Sequence, residues 1–150
     1  MLRTIPDRVQ QNTAPQVNAA IQQEIERSVA RTAKAGLPAI DRRLRELDEE
    51  WDVERYLETM APSITLAGLF LGFTRDRRWF ALPLAVQGFF LLHAVQGWCP
   101  PLPFLRALGV RTQGEIAEER HALKAIRGDY AGVKRRSSQG TRKATKSARR

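Results

Sequence analysis

Cys99 is the only cysteine of the 150-residue chain, and it stands in the run Gly97-Trp98-Cys99-Pro100. A cysteine reacts as its thiolate, which forms in a partly exposed, electropositive site. Arg106 could supply the positive charge, and Cys99 would then be a reactive thiol. The alternative is a small, soft side chain that packs beneath Trp98. A lone cysteine excludes an internal disulfide framework and a CxxC metal or redox pair.

Three other polar side chains, Gln87, His93 and Gln96, interrupt a long apolar segment. Polar groups within such a segment usually face other protein groups rather than lipid. Gln96 follows His93 by three residues, so the two share a helix face. They could line a conduction path, but we favour hydrogen bonds between helices, because a path would need more polar groups.

The remaining patterns of enzyme chemistry are missing from the sequence. The chain has no glycine-rich phosphate loop, no Ser/His/Asp arrangement and no metal-ligand spacing, and His93 and His121 are isolated from each other. We therefore expect a protein that is not an enzyme, with no catalytic residues, no bound metal and no cofactor.

The segment from Trp79 to Trp98 must position these side chains, and it contains no Asp, Glu, Lys or Arg. A helix of this length covers about 30 Å, which is the thickness of the hydrocarbon core of a bilayer. A tryptophan at each end is typical of residues at a membrane interface. The segment therefore predicts a transmembrane helix.

A second candidate span, 57–74, precedes the first and has a shorter apolar part, 60–73. Only Arg75-Asp76-Arg77-Arg78 connects the two, and so short a link forces an antiparallel hairpin. The fold class we predict is an all-α membrane protein, with a two-helix transmembrane hairpin and amphipathic flanking helices. Lys/Arg counting favours cytoplasmic termini, although the three arginines of the loop count against this.

The sequence as a whole divides into four segments. Residues 1–36 form an amphipathic helical extension without the pattern of a secretory signal peptide, and residues 37–56 form a juxtamembrane helix. The latter either lies on the headgroups or packs on its neighbours. Residues 57–130 hold the hairpin and a last helix. This helix begins at the capping box Thr112-x-x-Glu115 and ends at Gly128. Residues 131–150 form a disordered basic tail.

Small residues indicate where helices approach each other closely. Gly68 and Gly72 are spaced as in a packing motif of membrane helices, and Gly88 lies on the second span. The contact could lie within the hairpin or between two chains. We favour the hairpin first and a homodimer second.

The net charge of +9 arises mainly in the basic tail, which contains eight Lys and Arg residues and no acid. Such a tail could bind an anionic lipid surface, bind nucleic acid without sequence preference, or remain a passive solvated segment. No aromatic residue is interleaved with the charges, so base stacking is excluded and nucleic acid is the less favoured partner.

The run Gly97-Trp98-Cys99-Pro100, followed by Leu108-Gly109-Val110 after a two-span hairpin, resembles the YgaP-like inner-membrane domain family. Residues 41–55 and 111–130 resemble a longer subgroup of that family, so the resemblance covers about residues 41–130. It implies a small transmembrane domain of undefined function in the bacterial inner membrane, which forms dimers and is often fused to rhodanese sulfurtransferases or encoded beside them.

Nothing in the chain resembles a rhodanese domain, so a role in sulfur handling would require a separate sulfurtransferase. We expect a small integral membrane protein that acts as an anchor or accessory component, with the lipid bilayer and a second copy as partners. The alternative is a soluble or peripheral helical protein that binds nucleic acid or acidic surfaces through its basic tail.

Overall fold

A computed structural model describes residues 5–131, which are helical apart from short connections. The predicted tail lies outside the described residues, except for Ala131. The all-α class is confirmed for the described part, and two of its helices are long and apolar enough to cross a membrane. In chain order the helices are α1 (Ile5–Gln11), α2 (Pro15–Lys34), α3 (Leu37–Glu49), α4 (Val53–Thr74), a 3₁₀ turn (Arg77–Phe80), α5 (Ala81–Gln96), α6 (Leu102–Ala107) and α7 (Gln113–Arg127).

The chain forms two compact units, each built from stretches that are distant in sequence. Unit 1 comprises residues 5–24 and Glu50–Ile116 and contains α4 and α5. Unit 2 comprises Ile25–Glu49 and, of the described residues, 117–131. Each unit therefore joins segments that the sequence-based division treats separately.

The predicted juxtamembrane helix is not continuous, which corrects the expectation for 37–56. α3 ends at Glu49, and the Asp52 side chain caps α4 by accepting a hydrogen bond from the Arg55 N–H at 2.7 Å. The Val53 N–H bonds the Arg111 carbonyl at 3.0 Å instead of continuing a helix. Trp51 lies in this break, exposed, with its ring against Tyr56 and beneath the Arg55 guanidinium.

The second apolar helix is shorter than the segment Trp79–Trp98 that predicted it. Its first residues form the 3₁₀ turn, and α5 ends at Gln96 because Gly97 adopts a left-handed conformation with φ of 76°. This conformation stops a helix and is costly for residues with a Cβ atom. Trp98 therefore follows the helix rather than ending it.

Helices α4 and α5 pack antiparallel, and two glycines of α4 allow close approach, Gly68 to α5 and Gly72 to the 3₁₀ turn. A Cβ atom on Gly68 would lie 2.6 Å from Pro83 Cδ, and one on Gly72 would lie 2.7 Å from Phe80 Cδ1. Gln87 Nε2 donates across the same seam to Thr65 Oγ1 at 2.7 Å. A Cβ atom on Gly88, by contrast, would meet no neighbouring atom of the described residues within 4 Å.

The core of unit 1 lies where α4 begins and α5 ends, at the end of the hairpin opposite the connecting turn. It is formed by α1, α4, α6 and the corner after α5, whose buried apolar side chains are Val9, Val53, Leu57, Cys99, Leu102 and Leu105. The hairpin thus extends from a small helical base that has its own apolar core.

Unit 2 combines buried leucines and isoleucines with a buried acid. Ile40, Leu47 and Leu123 are almost fully buried. Glu119 of α7 accepts a hydrogen bond from Ser28 Oγ at 2.5 Å and pairs with the Arg43 guanidinium at 2.9 Å. The buried carboxylate therefore has the partners that a charge requires in an apolar interior.

We predict that Gly68→Ala destabilises the protein, since the new methyl group would overlap the Pro83 ring. Overpacking of this kind costs about 1–3 kcal/mol. Gly88→Ala is the matched control, because it adds the same methyl group where there is space, and alanine is the better helix former by about 1 kcal/mol. Thermal unfolding of the full chain in mild detergent, followed by circular dichroism, measures both. Equal melting temperatures for the two variants would contradict the packing described here.

Candidate membrane interface

The surface of the hairpin is apolar over most of its length. Large side chains project outward from both helices, among them Leu66, Phe70, Phe73, Leu84 and Leu91. Of the most apolar 18 residues of each candidate span, only 22% and 11% are buried. A core helix of a soluble protein would bury most of such a stretch, whereas an exposed apolar surface of this extent marks contact with lipid or with another protein.

The end of α5 is capped by side chains of α1 and of the residue that follows it. Arg8 Nη1 donates to the Val95 carbonyl at 2.6 Å, and Asn12 Nδ2 donates to the Gln96 carbonyl at 3.0 Å. The last carbonyls of a helix have no partner within the helix, and a cation there also complements the helix dipole. Helix α1 and the residue after it therefore supply the hydrogen bonds that α5 lacks at its C-terminus.

Gly97 allows this capping by its lack of a side chain. A Cβ atom there would collide with Arg8 Cβ and would lie 2.8 Å from the Arg8 carbonyl carbon. The left-handed backbone conformation is a second reason for glycine at this position. In this structure the predicted motif residue Gly97 thus serves the docking of α1, and the exposed Pro100 lies in the turn between α5 and α6.

Cys99 lies in the apolar core of unit 1 and is only 3% exposed. Burial raises the pKa of its thiol, and this outweighs the opposite effect of the backbone hydrogen bond with Leu102. A reactive cysteine requires the opposite shift. The geometry favours the packing alternative, and the reactive thiol stays a prediction.

The arginine expected to activate Cys99 is instead held by a carboxylate. Arg106 and Glu115 are 1% and 3% exposed and form a two-pronged ion pair, with Nη1 to Oε2 at 2.7 Å and Nη2 to Oε1 at 2.8 Å. The other three N–H groups of Arg106 donate to Thr13 Oγ1, the Val110 carbonyl and Asn18 Oδ1. All five donors of the guanidinium therefore have partners.

Glu115 has three functions at once. Besides pairing with Arg106, it accepts a hydrogen bond from the Thr112 N–H at 2.8 Å, and its own N–H bonds Thr112 Oγ1 at 3.3 Å. This is the predicted capping box. Gln10 Nε2 of α1 donates to the same carboxylate at 3.1 Å. The start of α7 is thereby tied to α1 and α6.

Burial would by itself raise the pKa of Glu115. The hydrogen bonds from Arg106, Thr112 and Gln10 and the attraction of the Arg106 charge outweigh burial, so that the pKa lies below its ordinary value. The folded protein therefore holds the ionised carboxylate more favourably than the unfolded chain does.

The polar groups of the second span behave differently from one another. Gln87 forms the expected hydrogen bond between helices, with Thr65. His93 is buried, but neither ring nitrogen has a partner among the described residues, so the expected interhelical hydrogen bond is absent there. The Gln96 side chain is exposed, and only the backbone carbonyl of this residue takes part in the cap of α5.

Within residues 5–131, no group of three or more His, Cys, Asp or Glu side chains is placed to hold a metal ion. The residues that sequence reasoning missed lie in α1, in the link after it and early in α2, namely Arg8, Gln10, Asn12, Thr13 and Asn18. Their only signal was polarity at the start of the chain, and nothing in the spacing connects residue 13 with residue 106.

No protein-family model, curated protein or solved structure matches this chain. The resemblance to the YgaP-like family therefore stays a prediction.

We predict that Arg106→Met destabilises the protein by about 3–5 kcal/mol, because it leaves the Glu115 carboxylate buried and unpaired. Arg106→Met combined with Glu115→Leu should cost less than the sum of the two single changes, since no charge is then left alone. Arg45→Gln, on the exposed face of α3, is the control and should stay within about 0.5 kcal/mol. Chemical unfolding of the full chain gives these free energies, and strict additivity of the two changes would disprove the coupling.

The lowered pKa of Glu115 also predicts a pH dependence. An acid whose folded pKa is depressed stabilises the protein above its unfolded pKa of about 4.3, and this contribution is lost as the pH falls through the folded pKa. Unfolding free energies measured between pH 6 and the acid limit should therefore fall more steeply for the natural chain than for Glu115→Gln. Parallel curves would show that Glu115 is not ionised in the folded protein.

Proposed function

We propose that this chain is a small integral membrane protein, in which the α4–α5 hairpin anchors the helical base of unit 1 to a bilayer. The observation that carries the proposal is the combination of apolar composition and exposure along both helices. Their length is also compatible: α4 covers about 33 Å at 1.5 Å per residue, including its charged first turns, and the second candidate span reaches 20 residues only when the 3₁₀ turn is counted with α5. An anchor needs no catalytic group.

The proposed location is the bacterial inner membrane, with both termini in the cytoplasm and the connecting turn outside. The antiparallel packing of α4 and α5 supports placing both ends of the hairpin on one side. Lys/Arg counting supports the choice of side. The open face around Gly88 leaves room for a second copy, so a homodimer remains part of the proposal.

A link to sulfur handling rests on the Gly-x-Cys-Pro resemblance alone. In that proposal a separate sulfurtransferase would be the partner, and Cys99 would receive sulfur. Because the thiol is buried, such a partner would have to expose it first.

Carbonate extraction of membranes from cells that express the full chain tests the anchor. We expect the protein to stay in the membrane pellet, because its apolar surface cannot be released by removing charge interactions. Recovery in the soluble fraction would contradict the proposal and favour the alternative, a soluble or peripheral protein that binds nucleic acid or acidic surfaces through its basic tail.

Reporter fusions test the orientation. A reporter after Arg150 should behave as cytoplasmic, and one inserted between Asp76 and Arg77 should behave as external. Opposite results at both points would invert the arrangement, and reporters at the two termini on different sides would exclude a hairpin.

Maleimide labelling of Cys99 against pH tests its character. We expect slow labelling, with an apparent pKa above the free value of about 8.5, because the thiol is buried. Urea-unfolded protein provides the control for full accessibility. A lower apparent pKa in the folded protein, together with loss of persulfide acceptance in Cys99→Ser, would instead support the sulfur role.

A further inference from the structure

The turn between α4 and α5 presents three arginines at the far end of the hairpin. Arg75, Arg77 and Arg78 are all exposed, and none forms an ion pair with any residue of the described part. The acid between them, Asp76, caps the 3₁₀ turn by accepting from the Arg78 N–H at 2.8 Å. The turn therefore has a net positive charge without a partner among the described side chains.

The backbone of this turn is held by hydrogen bonds. The N–H groups of Arg75 and Asp76 bond the Leu71 carbonyl at 2.8 and 3.3 Å, and the Trp79 N–H bonds the Asp76 carbonyl at 3.0 Å. The Phe80 ring packs edge-on against Phe73 at 5.0 Å. The arginines thus project from a fixed base, which reduces the entropy lost when they bind a ligand.

The dimensions of the hairpin favour a lipid as that ligand. Between Glu58 and Arg75, α4 has no charged residue, and this stretch covers about 25 Å. The hydrocarbon core is about 30 Å thick. The arginines would therefore enter at the edge of the core and extend their long side chains to the headgroups, as arginines near helix ends do. The exposed Trp79 and Phe73 beside them suit the same interfacial layer.

We propose that Arg75, Arg77 and Arg78 form a binding surface for the phosphates of anionic phospholipids. This inference rests on the membrane anchor proposed above and names a partner for one part of it. Guanidinium groups recognise phosphate oxygens through paired N–H donors. A basic residue near an anionic leaflet strengthens binding about fivefold, so three of them together contribute on the order of 100-fold.

Trp79 provides a local probe of this surface. In a Trp51→Phe/Trp98→Phe background, Trp79 is the only tryptophan, and it directly follows Arg78. The full chain in mild detergent is titrated with dioleoylphosphatidylglycerol, with dioleoylphosphatidylcholine or with inorganic phosphate at matched ionic strength. We expect a saturable change in Trp79 emission with phosphatidylglycerol only, with a half-saturation concentration that rises with added salt.

Replacement of the three arginines by glutamine should raise that half-saturation concentration by on the order of 100-fold. Replacement by lysine keeps the charge but removes the paired N–H donors of the guanidinium, so it should also raise the half-saturation concentration, although by less than glutamine does. The matched control, Arg27→Gln/Arg42→Gln/Arg45→Gln, removes the same charge from exposed positions on α2 and α3 and should bind as the natural chain does. Circular dichroism is used to check that each variant keeps its helix content. If the glutamine variant does not fold, weaker binding by the lysine variant tests whether the arginines bind the phospholipid.

Three results would overturn the proposal. An equal response to phosphatidylcholine would show that charge plays no part, and saturation by inorganic phosphate alone would indicate a site for a free anion. Equal loss in the control variant would show a general charge effect. If the protein resists carbonate extraction but gives one of these results, only this inference fails, whereas a protein released by carbonate would remove the anchor itself.

Discussion

The buried ion pair between Arg106 and Glu115 is the interaction on which the base of unit 1 depends. A guanidinium at 1% exposure is tolerated only because all five of its N–H groups find oxygen acceptors. Those acceptors come from α2, from the turn after α6, from the start of α7 and from Thr13 between α1 and α2. The requirement to satisfy one buried charge therefore fixes the positions of four segments of the chain.

This arrangement determines how the hairpin is held. The network holds Gln10 and Thr13. The same segment provides Arg8 and Asn12 for the open end of α5 and Val9 for the core beside Cys99. Along the hairpin itself, α4 approaches α5 closely because Gly68 has no side chain, and it approaches the 3₁₀ turn closely because Gly72 has none. The base thus has polar and apolar constraints, whereas the hairpin has close backbone packing and an apolar outer surface.

The Gly-x-Cys-Pro corner takes on a structural meaning in this setting. Gly97 permits the approach of Arg8, Cys99 fills the core, and the prolines that follow lead into α6. Each position thus has a packing reason that is independent of sulfur chemistry. A catalytic or redox role would require exposure of Cys99, which is only 3% exposed in this structure.

The sequence by itself determined the helical class, the two apolar helices and the capping box of α7, because each depends on residues that are close together in the chain. The capping box needs only Thr112 and Glu115, three residues apart. Only the tertiary structure decided that Glu115 also pairs with Arg106, so that this guanidinium is bound by a carboxylate instead of activating Cys99. Only the tertiary structure decided that Arg8 caps α5. These pairings join residues separated by 9 and by 87 positions. The sequence does not show whether a polar side chain is solvated or buried. The break at 50–52 was missed for the same reason: the Val53 N–H finds its acceptor in Arg111, a partner that no local pattern indicates.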